Sequence, residues 1–77
     1  MFLDINGKVF NTDRIEMYAP KDDASYTMLA IYKQNSDIWR LNFDTLANRD
    51  QALIDLKDVI NAGTPTTFYP TGCLGYV

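Results

Sequence analysis

The clearest pattern of hydrophobic and polar positions spans residues 37–63, where an alternating stretch leads into a helical one. Trp39, Leu41 and Phe43 occupy every second position, which is the period of a strand with one buried face. Further along, hydrophobic residues recur at three- and four-residue intervals, the period of an amphipathic helix. The pattern therefore predicts a strand over 37–44 that feeds a helix, with their apolar sides forming the core.

The predicted helix has start and stop signals. We favour Thr45 as its N-cap over Asp44 and Asn48, because Leu46 then joins the apolar side of the helix. Gly63 is the expected end, since glycine readily adopts the left-handed conformation found there. The predicted apolar side comprises Leu46, Leu53, Leu56 and Ile60, flanked by Ala52 and Val59.

Ile54 does not fit this apolar side. It lies roughly 140° from the centre of the apolar side by helical rotation. It is either a lone exposed hydrophobic residue, which is common on protein surfaces, or a contact with a second chain. The pattern leaves both interpretations open.

Three strands are predicted before residue 20. Phe2–Ile5 and Lys8–Phe10 flank Asn6-Gly7, which is a strong hairpin signal because both residues accept a positive φ. Arg14–Ala19 alternates in the same way, and we expect Pro20 to end that strand.

A solvated loop and a long strand are expected next. Lys21–Asp23 reads as a polar loop tip rather than a metal site, because a magnesium or calcium ion needs more oxygen ligands at fixed spacing. Ser25–Gln34 is rich in β-branched and aromatic residues, and it is the longest strand candidate. The fold class is therefore α+β: an antiparallel β-meander of about four strands with one C-terminal helix on one face.

The chain is expected to form a single β-meander and helix domain over residues 1–63, followed by an extended, ordered tail over 64–77. Pro65 and Pro70 exclude a helix in the tail. Thr66–Tyr69 is a candidate edge strand. We expect the hydrophobic tail to pack on its own sheet or on a neighbouring subunit.

One helix can cover only one face of the predicted sheet. The side that we assign to the helix carries Leu3, Ile5, Ile15, Met17, Leu29, Ile31, Trp39, Leu41 and Phe43. A register shift of one residue in any strand would exchange the faces. The opposite side carries tyrosine, methionine, isoleucine and arginine, which are types enriched in interfaces. Together with Phe2, the residues of this predicted partner face are Arg14, Tyr18, Tyr26, Met28, Tyr32, Ile38 and Arg40.

Three occupants of the predicted partner face remain open, because an exposed apolar patch usually has a partner. The tail could fold over the face, a second copy of the chain could cover it, or a ligand or foreign protein could bind there. Further residues that we predict as oligomer contacts are Ile54, Phe68, Tyr69 and Tyr76.

The composition excludes several kinds of chemistry. The 77 residues include one cysteine and no histidine. An intramolecular disulfide is impossible, and a zinc site lacks its usual ligands. The common catalytic triads and phosphate-binding loops are absent too. We therefore expect a protein that is not an enzyme and that has no cofactor and no metal, with Cys73 as a packed residue.

Charge and length limit the kinds of partner that the chain can bind. The net charge is −3 and the seven basic residues are spread along the chain, which argues against duplex nucleic acid. One or two arginines and a few aromatic rings would suffice for a small anionic, nucleotide-like ligand. The chain has no apolar run of signal-peptide or membrane-span length, so we expect a cytoplasmic protein that does not bind membranes. A domain this small has a thin core, which favours a homo-oligomer.

The run FDTLANRDQALIDL after a tryptophan-containing strand, preceded by FLDING and a meander, resembles a class of small bacterial and phage proteins. These proteins combine a β-meander with a C-terminal helix, and some resemble half of a PH-like barrel. The resemblance covers residues 2–62. Small size and the expected assembly also resemble phage-encoded inhibitors of bacterial defence, some of which block a protein and some of which sequester a nucleotide signal.

The sequence thus predicts a small non-enzymatic binding protein that works as a homo-oligomer. It would sequester a small anionic ligand or block a host protein. The alternative is a structural or assembly subunit of a virion or larger complex. An acidic mimic of nucleic acid ranks below both, because the ten acidic residues are scattered.

Overall fold

A computed structural model describes the backbone of residues 1–23 and 26–77, and the side chains of residues 1–21 and 29–77. It confirms the α+β class, with one helix packed against antiparallel strands. Ser25 and the side chains of Tyr26 and Met28 lie outside the described residues. In chain order the elements are β1 (Phe2–Ile5), β2 (Lys8–Asn11), a 3-10 turn (Thr12–Arg14), β3 (Ile15–Asp23), β4 (Tyr26–Lys33), β5 (Ile38–Phe43), α1 (Leu46–Ala62), β6 (Thr67–Phe68) and β7 (Cys73–Tyr76).

The described strands form two sheets rather than the single sheet expected. One has the order β2-β1-β6 and the other the order β3-β4-β5-β7. Within them β6 runs parallel to β1, and the other neighbouring pairs are antiparallel. The division falls between β2 and β3, which belong to different sheets. The tail supplies an edge strand to each sheet. It therefore packs on its own chain, beside the sheets and not across the predicted partner face.

The N-terminal hairpin is confirmed. Asn6 and Gly7 have φ values of 48° and 92°, as a two-residue hairpin turn requires. The Asp4 carboxylate accepts a 2.8 Å hydrogen bond from the Gly7 N–H. This bond closes the turn and fixes the register of β1 and β2.

Strand β3 does not end at Pro20. It continues to Asp23, with Pro20 opposite Leu29 of β4. The predictions of a strand end at Pro20 and a loop at Lys21–Asp23 are therefore wrong. Because β3 is an outer strand, one of its sides has no neighbouring strand, and a proline on that side costs the sheet no hydrogen bond.

An irregularity in β3 reverses the sides of the sheet that we predicted for Met17 and Tyr18. The register with β4 shifts between Ile15 and Met17, which places Met17 opposite Tyr32 and Tyr18 opposite Ile31. Tyr18 consequently packs against the core, while 50% of Met17 is exposed. The assignments of Met17 to the helix side and of Tyr18 to the opposite side are wrong, because one extra residue reverses the alternation.

Both predicted ends of the helix are confirmed. The Thr45 hydroxyl accepts a 3.2 Å hydrogen bond from the Asn48 N–H and so caps the first turn. Gly63 follows the last turn with a φ of 72°, and its N–H donates to the Ile60 carbonyl.

The buried side of α1 differs from the predicted one at its start. Leu56 is fully buried, but 57% of Leu46 is exposed, and Arg49 is buried instead. By helical rotation Arg49 lies about 20° from Leu56 and Leu46 about 80°. The expectation for Leu46 is therefore wrong, and a charged residue occupies the centre of the apolar side. The Arg49 guanidinium binds the Asp50 carboxylate, with Nη2 2.9 Å from Oδ1.

One core joins both sheets to the helix. Its buried members come from α1 and from five strands of the two sheets, one of which is β6 of the tail, so neither sheet has a separate core. They are Leu3, Ile5, Phe10, Leu29, Ile31, Leu41, Phe43, Ala52, Leu56 and Phe68.

The tail is also bound to the start of the helix. The Asp44 N–H donates a 3.0 Å hydrogen bond to the Gly72 carbonyl, and the Asn48 side-chain amide donates to the Asp44 carboxylate at 2.8 Å. Gly72 has a φ of 76°, and a Cβ atom there would collide with both of these side chains. The turn before β7 therefore requires glycine for its conformation and for its close approach.

This close approach predicts different costs for two glycine substitutions. Gly72→Ala and Gly63→Ala both place an alanine at a φ near 70°, but Gly63 has open space around it. We expect Gly72→Ala to lower the free energy of unfolding by about 0.5–1.5 kcal/mol more than Gly63→Ala does, because the ends of the Asp44 and Asn48 side chains must move aside and lose their hydrogen bond. Urea unfolding measures both. Equal losses would show that the tail does not dock on the helix start.

Candidate functional site

An open groove of about 280 Å³ lies between β2 and the hairpin formed by β4 and β5. Its lining residues are Lys8, Val9, Phe10, Lys33 and Trp39. Among these described lining residues two are lysines and none carries a carboxylate. In a chain with a net charge of −3, this groove is a local concentration of positive charge and hydrogen-bond donors.

Aromatic contacts hold one wall of the groove in place. Phe10 and Trp39 meet edge to face, with ring centroids 6.1 Å apart and planes at 81°. Trp39 and Tyr76 meet in the same way at 6.1 Å and 84°. Such geometry is favourable for aromatic pairs. Because these rings come from β2, β5 and β7, the wall is fixed by both sheets.

The Lys8 ammonium lies over this aromatic wall. Its Nζ is 4.6 Å from the centroid of the Trp39 ring and 5.3 Å from that of Tyr76. Cation–π attraction of this kind contributes about 0.5–1 kcal/mol at exposed sites. It restrains Lys8 at the groove while its N–H donors stay available to a ligand.

Trp39 adds a donor without an acceptor. Within the described part of the chain, its indole Nε1 is buried and has no hydrogen-bond partner. A buried donor in this state typically costs about 1–3 kcal/mol. Because this nitrogen is buried, a ligand in the groove contacts the ring of Trp39 and not its N–H donor.

Tyr76 connects the two sheets behind the groove. Its hydroxyl donates a 2.6 Å hydrogen bond to the Ile5 carbonyl of β1. Burial raises the pKa of the Tyr76 phenol strongly, and the negative charges of Cys73 and Asp4 raise it further. The phenol is therefore a donor that is held protonated.

Cys73 lies half-buried on β7. Burial raises the pKa of its thiol, against a smaller lowering by a backbone hydrogen bond from Gly75. A raised pKa keeps the thiol protonated at neutral pH, and the thiolate is the reactive form. Cys73 therefore has the properties of a packed residue rather than of a nucleophile.

The residues of the predicted partner face are dispersed, and those with described side chains do not line the groove. Tyr32 and Ile38 are cross-strand neighbours on the side of the four-stranded sheet that faces away from the core, and Arg40 shares that side. Tyr18 lies on the core side. Phe2 is exposed on the three-stranded sheet.

Arg14 lies in a second hollow, of about 130 Å³. Asp13 and Glu16 line the same hollow. Two carboxylates next to one guanidinium make this hollow a poor site for an anion.

The four predicted oligomer contacts also separate. Ile54 and Tyr69 are exposed, whereas Phe68 is buried in the core of its own chain. Tyr76 is engaged with Ile5, Phe10 and Trp39. The exposed pair remains available to a partner.

The sequence contained a partial signal for the groove. Lys8 and Phe10 are two residues apart on a predicted strand, so they share a face, and Lys8 follows a turn that could be recognised. Lys33 and Trp39 could not be joined to them, because no sequence pattern predicts that β2 leaves the meander for a second sheet.

Comparison with protein family models, with curated proteins and with solved structures finds no match for this chain. The resemblance to small phage and bacterial proteins stays a prediction. No helix in the described residues is long and apolar enough to cross a membrane. Among those same residues, no three Cys, Asp or Glu side chains are grouped to hold a metal ion.

The raised pKa of Tyr76 predicts an alkaline loss of stability. Below about pH 10 the phenol is protonated in both states, so its hydrogen bond contributes fully. As the pH rises further the unfolded chain loses the proton first, and stability falls toward the folded pKa. We expect Tyr76→Phe to cost about 1–2 kcal/mol at pH 7 and to reduce this alkaline loss.

Chemical unfolding at pH 7 and between pH 9 and 11 measures both effects. Tyr69→Phe is the matched control, because Tyr69 is exposed and should change stability by less than about 0.5 kcal/mol. Identical pH profiles for the wild type and Tyr76→Phe would assign the alkaline loss to another group.

Proposed function

We propose that this chain is a small, non-enzymatic binding protein that holds an anionic group of its partner in the groove between β2 and the β4–β5 hairpin. The observation that supports this most strongly is the lining of the groove. Lys8 and Lys33 line it beside the ring of Trp39, and the described lining residues include no carboxylate that would compete for the lysines. Acting by occupancy requires no catalytic group.

The size of the groove bears on the ligand. Pockets that enclose a drug-sized molecule usually measure about 300–1,000 Å³ and bury most of its surface. At about 280 Å³, and open to solvent, this groove fits one anionic group or one segment of a larger partner. The sequestering of a whole small ligand would therefore need more wall than one copy of the groove supplies.

Substitution of the two lysines tests this function. We expect the double variant Lys8→Gln and Lys33→Gln to weaken anion binding by about three- to thirtyfold, because each exposed charge pair contributes up to about 1 kcal/mol. The probes are inorganic phosphate, ATP and a blocked heptapeptide in which threonine fills every second position and glutamate and valine alternate at the others. The fluorescence of Trp39, the only tryptophan, reports binding.

The control variant is Lys57→Gln, since Lys57 is exposed on α1 and lies away from the groove. It should bind each probe within about twofold of the wild type. Binding that survives the double substitution, or the absence of binding to all three probes, would contradict the proposed function.

We also propose that the chain associates with copies of itself through the side of the four-stranded sheet that faces away from the core. Met17 and Ile38 are exposed there on either side of Tyr32, with Arg40 nearby. An apolar row of this kind supports an interface, and it would also suit an assembly subunit.

The association predicts a shift in mass on substitution. Ile38→Asp should move the protein toward the monomer, because it places a carboxylate in the apolar row. Leu46→Asp, at an exposed residue of α1 on the other side of that sheet, is the control and should keep the mass of the wild type. Light scattering coupled to size-exclusion chromatography measures the mass. A monomeric wild type at 100 μM or so, well above a micromolar dissociation constant, would overturn this association.

A further inference from the structure

Strand β2 has a backbone edge without a neighbour. It is an outer strand of its sheet, and Ile5 and Lys8 flank the two-residue turn. Residues that flank such a turn form a hydrogen-bonded pair, and the next pair along an antiparallel ladder does not. Asp4 and Val9 are that next pair. The N–H and C=O of Val9 therefore point away from β1.

The hydrogen bonds of β1 agree with this alternation. The Asp4 N–H donates to the Thr66 carbonyl on the opposite side of β1, at 3.2 Å. Because the two members of such a pair point in opposite directions, Val9 must point toward the free edge. Val9 is also part of the groove lining, and 67% of it is exposed.

The other outer strands of the described sheets are less suitable for pairing. Strand β3 contains Pro20, β6 has two residues, and β7 contains Gly75 at a φ of 113° next to a register shift. Proline, short length and irregularity are features that discourage pairing at an edge. Strand β2 has four residues in regular register and contains neither proline nor glycine.

The charges at this edge distinguish between possible occupants. A second copy that paired through its own β2 would bring Lys8 and Lys33 of both copies together. Lysines at an edge oppose such self-pairing. The same lysines attract a strand that carries carboxylates, so charge complementarity favours a foreign acidic segment.

Resting on the proposed function, we propose that the occupant of the groove is an extended, acidic segment of a partner protein, which adds to β2 as a fourth strand of the β2-β1-β6 sheet. Val9 supplies one backbone donor and one backbone acceptor to the added strand. Side chains alternate along a strand, so the residues on either side of the one opposite Val9 face Lys8 and Phe10. Carboxylates there reach the lysines, and apolar side chains there reach Trp39.

Amide hydrogen exchange tests strand addition directly. The probe is a blocked heptapeptide in which every second residue is threonine and the other positions alternate glutamate with valine, so that carboxylate and apolar side chains share one face of the strand. It is bound to the full chain and followed by NMR. We expect the exchange of the Val9 amide to slow at least tenfold with the peptide. We expect no such slowing with inorganic phosphate, which does not form a ladder.

A chemically modified peptide tests the same hydrogen bonds on the wild-type protein, so the result does not depend on whether a variant of the chain folds. The same peptide can be N-methylated at every second residue, which keeps its carboxylates and removes half of its backbone N–H donors. Two such peptides exist, and only one of them loses the donors that face β2. We expect the affinity of that peptide for the wild type to fall at least tenfold. Val9→Pro should weaken the unmodified peptide similarly, with Val9→Thr, which keeps the N–H, as its control.

The outcomes separate this inference from the proposed function. Strand addition alone would be overturned if peptide binding depended on Lys8 and Lys33 but did not slow the exchange of the Val9 amide and was not weakened by N-methylation. Phosphate or ATP binding without peptide binding would do the same. Loss of every anion response would overturn both.

Discussion

The structure depends on the C-terminal segment, because this segment holds the two sheets together. Strand β6 pairs with β1 in one sheet and β7 pairs with β5 in the other, so a single stretch of chain crosses between them. Phe68 contributes to the core, and the Tyr76 hydroxyl bonds to the Ile5 carbonyl of the opposite sheet. Without these contacts the N-terminal hairpin would be a two-stranded ribbon held only by the core side chains Leu3, Ile5 and Phe10. A two-stranded ribbon by itself is marginally stable at best in water.

The groove follows from this arrangement. A chain of 77 residues has few large side chains for its core, so the same aromatic residues that close the gap between the sheets also border the solvent. Phe10 and Trp39 meet where the edge of β2 passes the β4–β5 hairpin, and Tyr76 supports them from β7. The wall is rigid because it is part of the joint between the sheets. A ligand that contacts this wall is consequently bound by preformed structure, which reduces the entropy lost on binding.

Local rules predicted the elements, and non-local pairing decided the rest. The Asn6-Gly7 turn, the Thr45 cap and the Gly63 end were predictable because each is determined by residues within one turn of chain. The faces of β3 were not, since the irregularity beside Met17 depends on the pairing with β4. Arg49 has the helical position of a buried residue, but a charged side chain is not expected in a core. The groove could not be predicted, because Lys8 and Trp39 come from different sheets and no sequence pattern indicates that they lie side by side.

The energetics of the groove constrain the partner further. Backbone hydrogen bonds contribute about 0.5–1.5 kcal/mol each, and exposed lysine pairs contribute about 0–1 kcal/mol and weaken in salt. Ordering two chains costs several times as much. Polar groups at Val9, Lys8 and Lys33 can therefore set strand register and charge preference, but they cannot supply most of the affinity. In the complex that we propose, the remaining free energy comes from an apolar side chain of the partner packed against Trp39, since Phe10 is only 4% exposed.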